Sequence, residues 1–257
     1  MTLSSKQPSQ QHLGKPEEYW NRAGELSYGE AMYGSADVER HVRQRLWDVA
    51  ARIGDEIGIP QSGRVLDYGC GDGAFANEVL ASKYHEVHGY DLAPAAIERA
   101  RSAAPGPHIT FVAADLVTLD YDKMPRFDGA FLIGILHHIK AQTPQVLRSL
   151  AGLTDKMVVL EPNGDHLVRK LLEFTPSYRA AGEDSFRTRE MLETFAANGW
   201  QMVSYRRLNL FPNFTPGPIY RLLAPLEPYV EQSSFWNKLC TVNMLGLVRK
   251  PGGQDRR

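Results

Sequence analysis

The stretch VLDYGCGDGAF, residues 65–75, decides the fold. A short apolar run, Arg64 to Asp67, stops at three alternating glycines, Gly69, Gly71 and Gly73. Glycines directly after a buried strand permit a sharp turn and let a ligand approach the backbone closely. Asp67 stands two residues before the first of them, where a carboxylate could reach a cationic group. The spacing Gly69-x-Gly71-x-x-Ala74 also fits the dinucleotide fingerprint, so the glycines alone leave a nicotinamide or flavin enzyme open. A pyrophosphate would gain nothing from the extra negative charge of Asp67.

Outward from this turn, strands and helices alternate. A helix is expected near 75–81, then a strand Glu86 to Tyr90 ending at Asp91, and a helix that opens on Pro94. His108 to Ala113 reads as a third strand, ending near Asp115. Phe127 to Ile135 reads as a fourth. A helix from Pro144 to Leu153 leads to a fifth strand, Met157 to Leu160. Thr188 is expected to cap a helix through Ala197, with strands Trp200 to Leu210 and Thr241 to Arg249 beyond. Upstream, Val38, Val42, Leu46, Val49, Ile53 and Ile57 recur at helical spacing, so 36–58 reads as an amphipathic helix capped by Ser35 or Asp37. The expectation is an α/β, doubly wound and mostly parallel seven-stranded sheet with helices on both faces. Such sheets bind ligands beyond the carboxyl ends of their strands, where strand order reverses. Asp67, Asp91 and Asp115 fall at those ends.

These strand ends together resemble the class I, Rossmann-like, seven-stranded S-adenosylmethionine-dependent methyltransferases. VLDYGCGDG is similar to that family's first motif, GYDLAPAAIERAR (89–101) to its second and AADL (113–116) to its third. FDGAFLIGILHHI (127–139) resembles its fourth strand and exit loop. The resemblance is close over residues 60–160. It implies S-adenosyl-L-methionine as cofactor and S-adenosyl-L-homocysteine as product. It implies that Asp67, Gly69, Cys70 and Gly71 border the methionine part, that Asp91 holds the ribose, and that Asp115 meets the adenine, with Leu92 and Leu116 sandwiching the purine. Ile133 would supply backbone near the methionine end. His137 and His138, just past the fourth strand, are candidate bases toward a hydroxyl acceptor; simple packing is the alternative for either.

Expected organisation follows. Residues 1–18 read as a flexible tail and 19–257 as a single methyltransferase domain: a lid and helix over 19–58, the cofactor core over 60–160, and an acceptor-side half over 161–257. By likeness, Tyr28 and Tyr33 of the aromatic-rich lid touch cofactor or acceptor. Asn163, Tyr178 and Arg179 are candidate acceptor contacts. About thirty residues, 211–239, intervene between the last two strands as a long loop rich in proline and apolar residues. Such a loop can cap an apolar acceptor, touch a membrane surface weakly or make a dimer contact. Its two acids, Glu227 and Glu231, balance Arg221 and Lys238, which argues against strong binding to anionic lipid.

Composition narrows the chemistry. With 29 Lys+Arg against 30 Asp+Glu, the basic excess of a nucleic-acid binder is missing. Nucleic acid is therefore not an expected partner, and an RNA methyltransferase is a weaker reading. Two cysteines, no apolar N-terminal core and no long apolar run fit a reducing cytoplasm. Neither cysteine has a partner at metal-ligand spacing, and Asp120 and Asp122 read as a solvated loop, so no metal is expected. The fourth strand ends Ile133-Gly134-Ile135-Leu136 rather than in the Asn/Asp-Pro-Pro-aromatic run of nucleobase amino-methylases. The expected reaction is O-methylation of a small-molecule acceptor: a glycan, lipid or secondary-metabolite precursor. N- or C-methylation, a dinucleotide-binding oxidoreductase and a non-catalytic cofactor-binding subunit are the alternatives. A monomer or homodimer fits equally.

Overall fold

The computed structural model describes residues 35–166, 184–212 and 215–250. Helix α1 (Ala36–Glu56) begins where Ser35 Oγ accepts the Val38 N–H at 3.3 Å. Its apolar stripe, Val38 through Ile53, is buried together with Ile57 just past its end. Gly58, at φ +76°, closes the turn.

The strands are β1 (Arg64–Tyr68), β2 (Glu86–Asp91), β3 (Ile109–Ala113), β4 (Gly129–Ile133), β5 (Lys156–Pro162), β6 (Trp200–Leu208) and β7 (Val242–Arg249). They form one seven-stranded sheet in the order β3-β2-β1-β4-β5-β7-β6. Every pairing is parallel except those of β7, which runs antiparallel between β5 and β6. Alternation along each strand sends side chains to two cores. Val65, Phe131 and Val158 pack with α1 on one face, while Leu66, Leu132 and Val159 pack on the other. The second core is covered by α4 (Thr143–Leu153) and α5 (Thr188–Ala197). The first is completed by α2, a π-helical turn Ala76–Leu80 running into Ala81–Lys83, and by α3 (Pro94–Ser102).

Strand order reverses between β1 and β4, so the crevice for a ligand opens at their carboxyl ends. β4 is shorter than its apolar run suggests. The Asp128 side chain accepts the Arg64 N–H at 2.8 Å before the strand, and Gly134, at φ +70°, ends it. Thr188 is the first residue of α5 rather than its cap: Arg187 holds that position, and the Asp165 carboxylate accepts the Thr188 N–H at 3.0 Å. The segment before β7 is helical rather than a loop. It holds α6 (Gly217–Leu223), α7 (Glu227–Gln232) and short 3-10 turns at Ala224–Leu226 and Trp236–Leu239. Its Glu227 is buried against α1, meeting His41 Nε2 at 3.0 Å and Arg45 Nη1 at 2.9 Å.

Candidate active site

The β1–α2 turn is built by its backbone. Gly69, Gly71 and Gly73 adopt φ +79°, +56° and +74°, values that side chains disfavour. At Gly69 a Cβ would also lie 2.6 Å from Ile135 Cγ1, so the turn packs directly on the β4 exit loop. The Gly69 and Cys70 N–H groups donate to the Tyr90 carbonyl at 2.9 and 3.0 Å, which ties the turn to β2. Asp91, at the end of β2, accepts the Gly71 N–H at 2.8 Å through Oδ2 and the Ala93 N–H at 2.9 Å through Oδ1. One carboxylate thus fastens the glycine turn to the start of α3. Burial nevertheless raises its pKa above the ordinary carboxylate value.

Asp67 lies deeper, 1% exposed, and its Oδ2 has no hydrogen-bond partner among the described residues. Burial first, and the nearby Asp91 second, push its pKa up to about 8. Among the described residues no cation lies beside it, and a buried carboxylate so placed costs free energy in the empty protein. The arrangement is therefore chemically matched to a positively charged ligand group.

The other sequence-derived candidates divide. Cys70 is buried in the core with its thiol pushed well above its usual pKa, as suits a small packing residue. Asp115 is exposed and closes a turn, accepting the Val117 N–H and the Thr118 hydroxyl, both at 2.9 Å. Leu92 is exposed, whereas Leu116 is buried in the second core and its carbonyl accepts from the Tyr68 and Tyr121 hydroxyls. The pair is thus not equally open to a purine. Ile133 is half-buried at the end of β4. Asn163 is fully buried and committed to the protein: its Nδ2 donates to the Cys240 carbonyl at 2.8 Å, and its Oδ1 accepts the Asp165 N–H at 3.1 Å. That amide pins the end of β5 to the residues preceding β7. Tyr28, Tyr33, Tyr178 and Arg179 lie outside the described residues.

His137 and His138 occupy a 3-10 turn, Leu136–Gln142, with ring centroids 3.9 Å apart. The residue that organises them is Glu161, fully buried at the end of β5. Its carboxylate accepts the Leu136 N–H at 2.7 Å and the His137 N–H at 3.2 Å, and lies 2.8 Å from His137 Nδ1. A carboxylate only accepts, so Nδ1 of His137 is the donor in that contact. In the sequence Glu161 shows only as an acid ending an apolar strand. Its pairing with a residue 24 positions earlier had no local signal. Among the described residues no cluster of three His, Cys, Asp or Glu has the geometry to hold a metal ion. No described helix is long and apolar enough to cross a membrane.

Residues 65–156 match the family model described as "Methyltransferase domain". Over that stretch the sequence is similar to a methyltransferase domain, and the fold is a Rossmann-like, seven-stranded one. The chain is similar to human methyltransferase-like protein 27, at 34% identity over 83 residues, 31% of this chain. That match takes in about a third (32%) of the relative's length. Among solved structures it is similar in fold to magnesium protoporphyrin IX methyltransferase from Synechocystis PCC 6803 with bound SAH. The TM-score is 0.62 at 17% identity, covering 91% of this chain and 98% of the other. It is also similar in fold to the [4+2]-cyclase SpnF, with TM-score 0.64 at 16% identity, covering 93% and 97%. A cyclase among the neighbours means that the fold by itself does not fix the reaction.

Proposed function

We propose that the protein transfers a methyl group from S-adenosylmethionine to an oxygen of a small-molecule acceptor, a glycan, lipid or secondary-metabolite precursor. The observation that carries this reading is the buried Asp67 carboxylate, unpartnered at Oδ2 among the described residues and set beside a glycine turn at the reversal of strand order. A sulfonium nucleoside that also bears an amino group supplies the missing positive charge; a dinucleotide pyrophosphate would add a second anion.

When bound, the sulfonium supplies a methyl group already activated for transfer. The chain's own work is to hold and align. Asp67, Gly69, Cys70 and Gly71 border the methionine end. Asp91 keeps lone pairs for ribose hydroxyls beyond its two backbone bonds. Asp115 and Leu92 line the adenine side, with Leu116 beneath them, and Ile133 offers backbone at the β4 exit. Glu161 fixes the orientation of His137, whose imidazole takes the proton from an acceptor hydroxyl, with the His138 ring packed on it. The oxygen preference rests on this oriented imidazole and on the missing amino-methylase run.

Titration calorimetry with S-adenosylhomocysteine tests the reading directly. Binding is expected for the native chain and strong weakening for Asp91→Ala, while reduced nicotinamide dinucleotide gives no heat. Absence of affinity for both S-adenosylmethionine and S-adenosylhomocysteine would sink it. Label transfer from methyl-labelled cofactor across an acceptor panel then separates an enzyme from a silent binding subunit.

A further inference from the structure

The helical segment before β7 is built inside out. Glu227 of α7 is 1% exposed, whereas Leu222 of α6 is 77% exposed and Tyr229 of α7 is 76% exposed. Ile219, Leu222, Leu223 and Leu226 recur at i, i+3, i+4 and i+7, so one apolar helical stripe faces water. Phe235, Trp236 and Leu239 extend it, with the Phe235 and Trp236 rings edge to face at 5.0 Å. Of the twelve large hydrophobic residues exposed among the described residues, eight lie between 219 and 239. They therefore form a concentrated patch rather than the scatter normal for a soluble surface.

The charge balance of this segment, zero by sequence, is not zero at its surface. Glu227 and Glu231 are withdrawn: Arg45 pairs with both, His41 meets Glu227, and their remaining oxygens accept the Leu210 and Asn209 N–H groups at 2.8 and 2.7 Å. Arg221 and Lys238 stay exposed. Lys238 Nζ sits 5.6 Å from the Phe235 ring centre, and Arg221 has Asp37 at 3.5 Å beside it. Asp37 balances Arg221, so the outer face combines leucines, Tyr, Trp and Phe with the charge of Lys238, the amphipathic make-up of a segment that lies in a lipid headgroup layer.

We infer that α6, α7 and the turn after them form a docking surface for a bilayer that contains anionic lipid. A second copy of the chain fits less well. A two-fold contact places the same patch on both partners, so it joins two surfaces that each carry the uncompensated charge of Lys238. The patch also sits where docking has a use. Leu208, at the end of β6, is paired with Val242, at the start of β7, and Val242 with Pro162, at the end of β5. The segment therefore leaves from the same carboxyl edge of the sheet as Asp67 and Glu161. The inference is independent of which ligand those residues hold.

Co-sedimentation of the full chain with phosphatidylcholine vesicles, with and without phosphatidylglycerol, is the test. The native protein is expected to sediment with phosphatidylglycerol vesicles, less so at high salt. The exposed-site variant Leu222→Ser/Leu226→Ser/Trp236→Ser is expected to lose roughly tenfold or more of that affinity with an unchanged circular dichroism melt. Lys238→Glu, a milder change, is expected to weaken it by roughly tenfold on phosphatidylglycerol and little on phosphatidylcholine. The inference is overturned if the native chain ignores both vesicles, or if both variants bind as it does. A dimer in sedimentation equilibrium that the triple variant dissociates, with no vesicle binding, would overturn it in favour of a second copy.

Discussion

Replacing Asp67 by Asn should make the empty protein more stable and the ligand weaker. In the folded chain this carboxyl holds its proton up to about pH 8, against an ordinary value of 3.8, because burial and then Asp91 oppose its ionisation. The unfolded chain releases that proton near the ordinary value. The sign follows: this residue's contribution is most favourable below about pH 4, declines as pH rises toward 8, and is level above. At about 1.4 kcal/mol per decade of proton affinity, the full decline has a ceiling of roughly 6 kcal/mol, of which roughly 4 is reached by pH 7. Asn carries no ionisation cost but leaves a buried amide that needs partners, a penalty of about 1–3 kcal/mol. The net gain at pH 7 is therefore roughly 1–3 kcal/mol, or a rise of about 2–10 °C in Tm. Thermal melts between pH 5 and pH 9 should show a falling stability in the native chain and a flatter profile in the variant. Calorimetry adds a second reading. A cationic ligand drives the proton off Asp67, so binding at pH 7 should release close to one proton in the native chain, seen as a dependence of the heat on buffer, and none in Asp67→Asn. A variant less stable than the native chain at every pH, or an unaltered pH profile, refutes the reasoning.

Two further outcomes follow from the same geometry. Gly69→Ala places a methyl group 2.6 Å from Ile135 at a backbone angle of +79°, and should cost roughly 2–3 kcal/mol in denaturant melts and weaken S-adenosylhomocysteine binding with it. Glu161→Gln keeps an acceptor for the turn but loses the charge that orders His137; once an acceptor is in hand, kcat should fall by about tenfold to a hundredfold with little change in KM, and the acidic limb of the pH–rate profile should move.

Local signals carried much of this site. The glycines at 69, 71 and 73 are dictated by backbone angles, and Asp67, Asp91 and Asp115 sit where apolar runs stop; both facts are written in adjacent residues. Tyr28, Tyr33, Tyr178 and Arg179 rested on likeness and position alone. Asn163 reads as a candidate because it ends a strand, and a residue at a strand end can face the rim or turn back; the Cys240 carbonyl, 77 positions away, takes its amide. Glu161, too, shows in the sequence as an acid ending the fifth strand, but its role does not, since its partners, Leu136 and His137, become neighbours only when β4 and β5 pair.

By itself the sequence determined the alternation of strands and helices, the glycine turn and the three acids at strand ends, because periodicity and backbone conformation are short-range properties. Tertiary structure decided that β7 lies between β5 and β6, that Glu161 holds His137, and that Glu227 and Glu231 turn inward while leucines face out. Each of these depends on which distant groups come together and which lose water, and burial is a property of the assembled fold rather than of any stretch of chain.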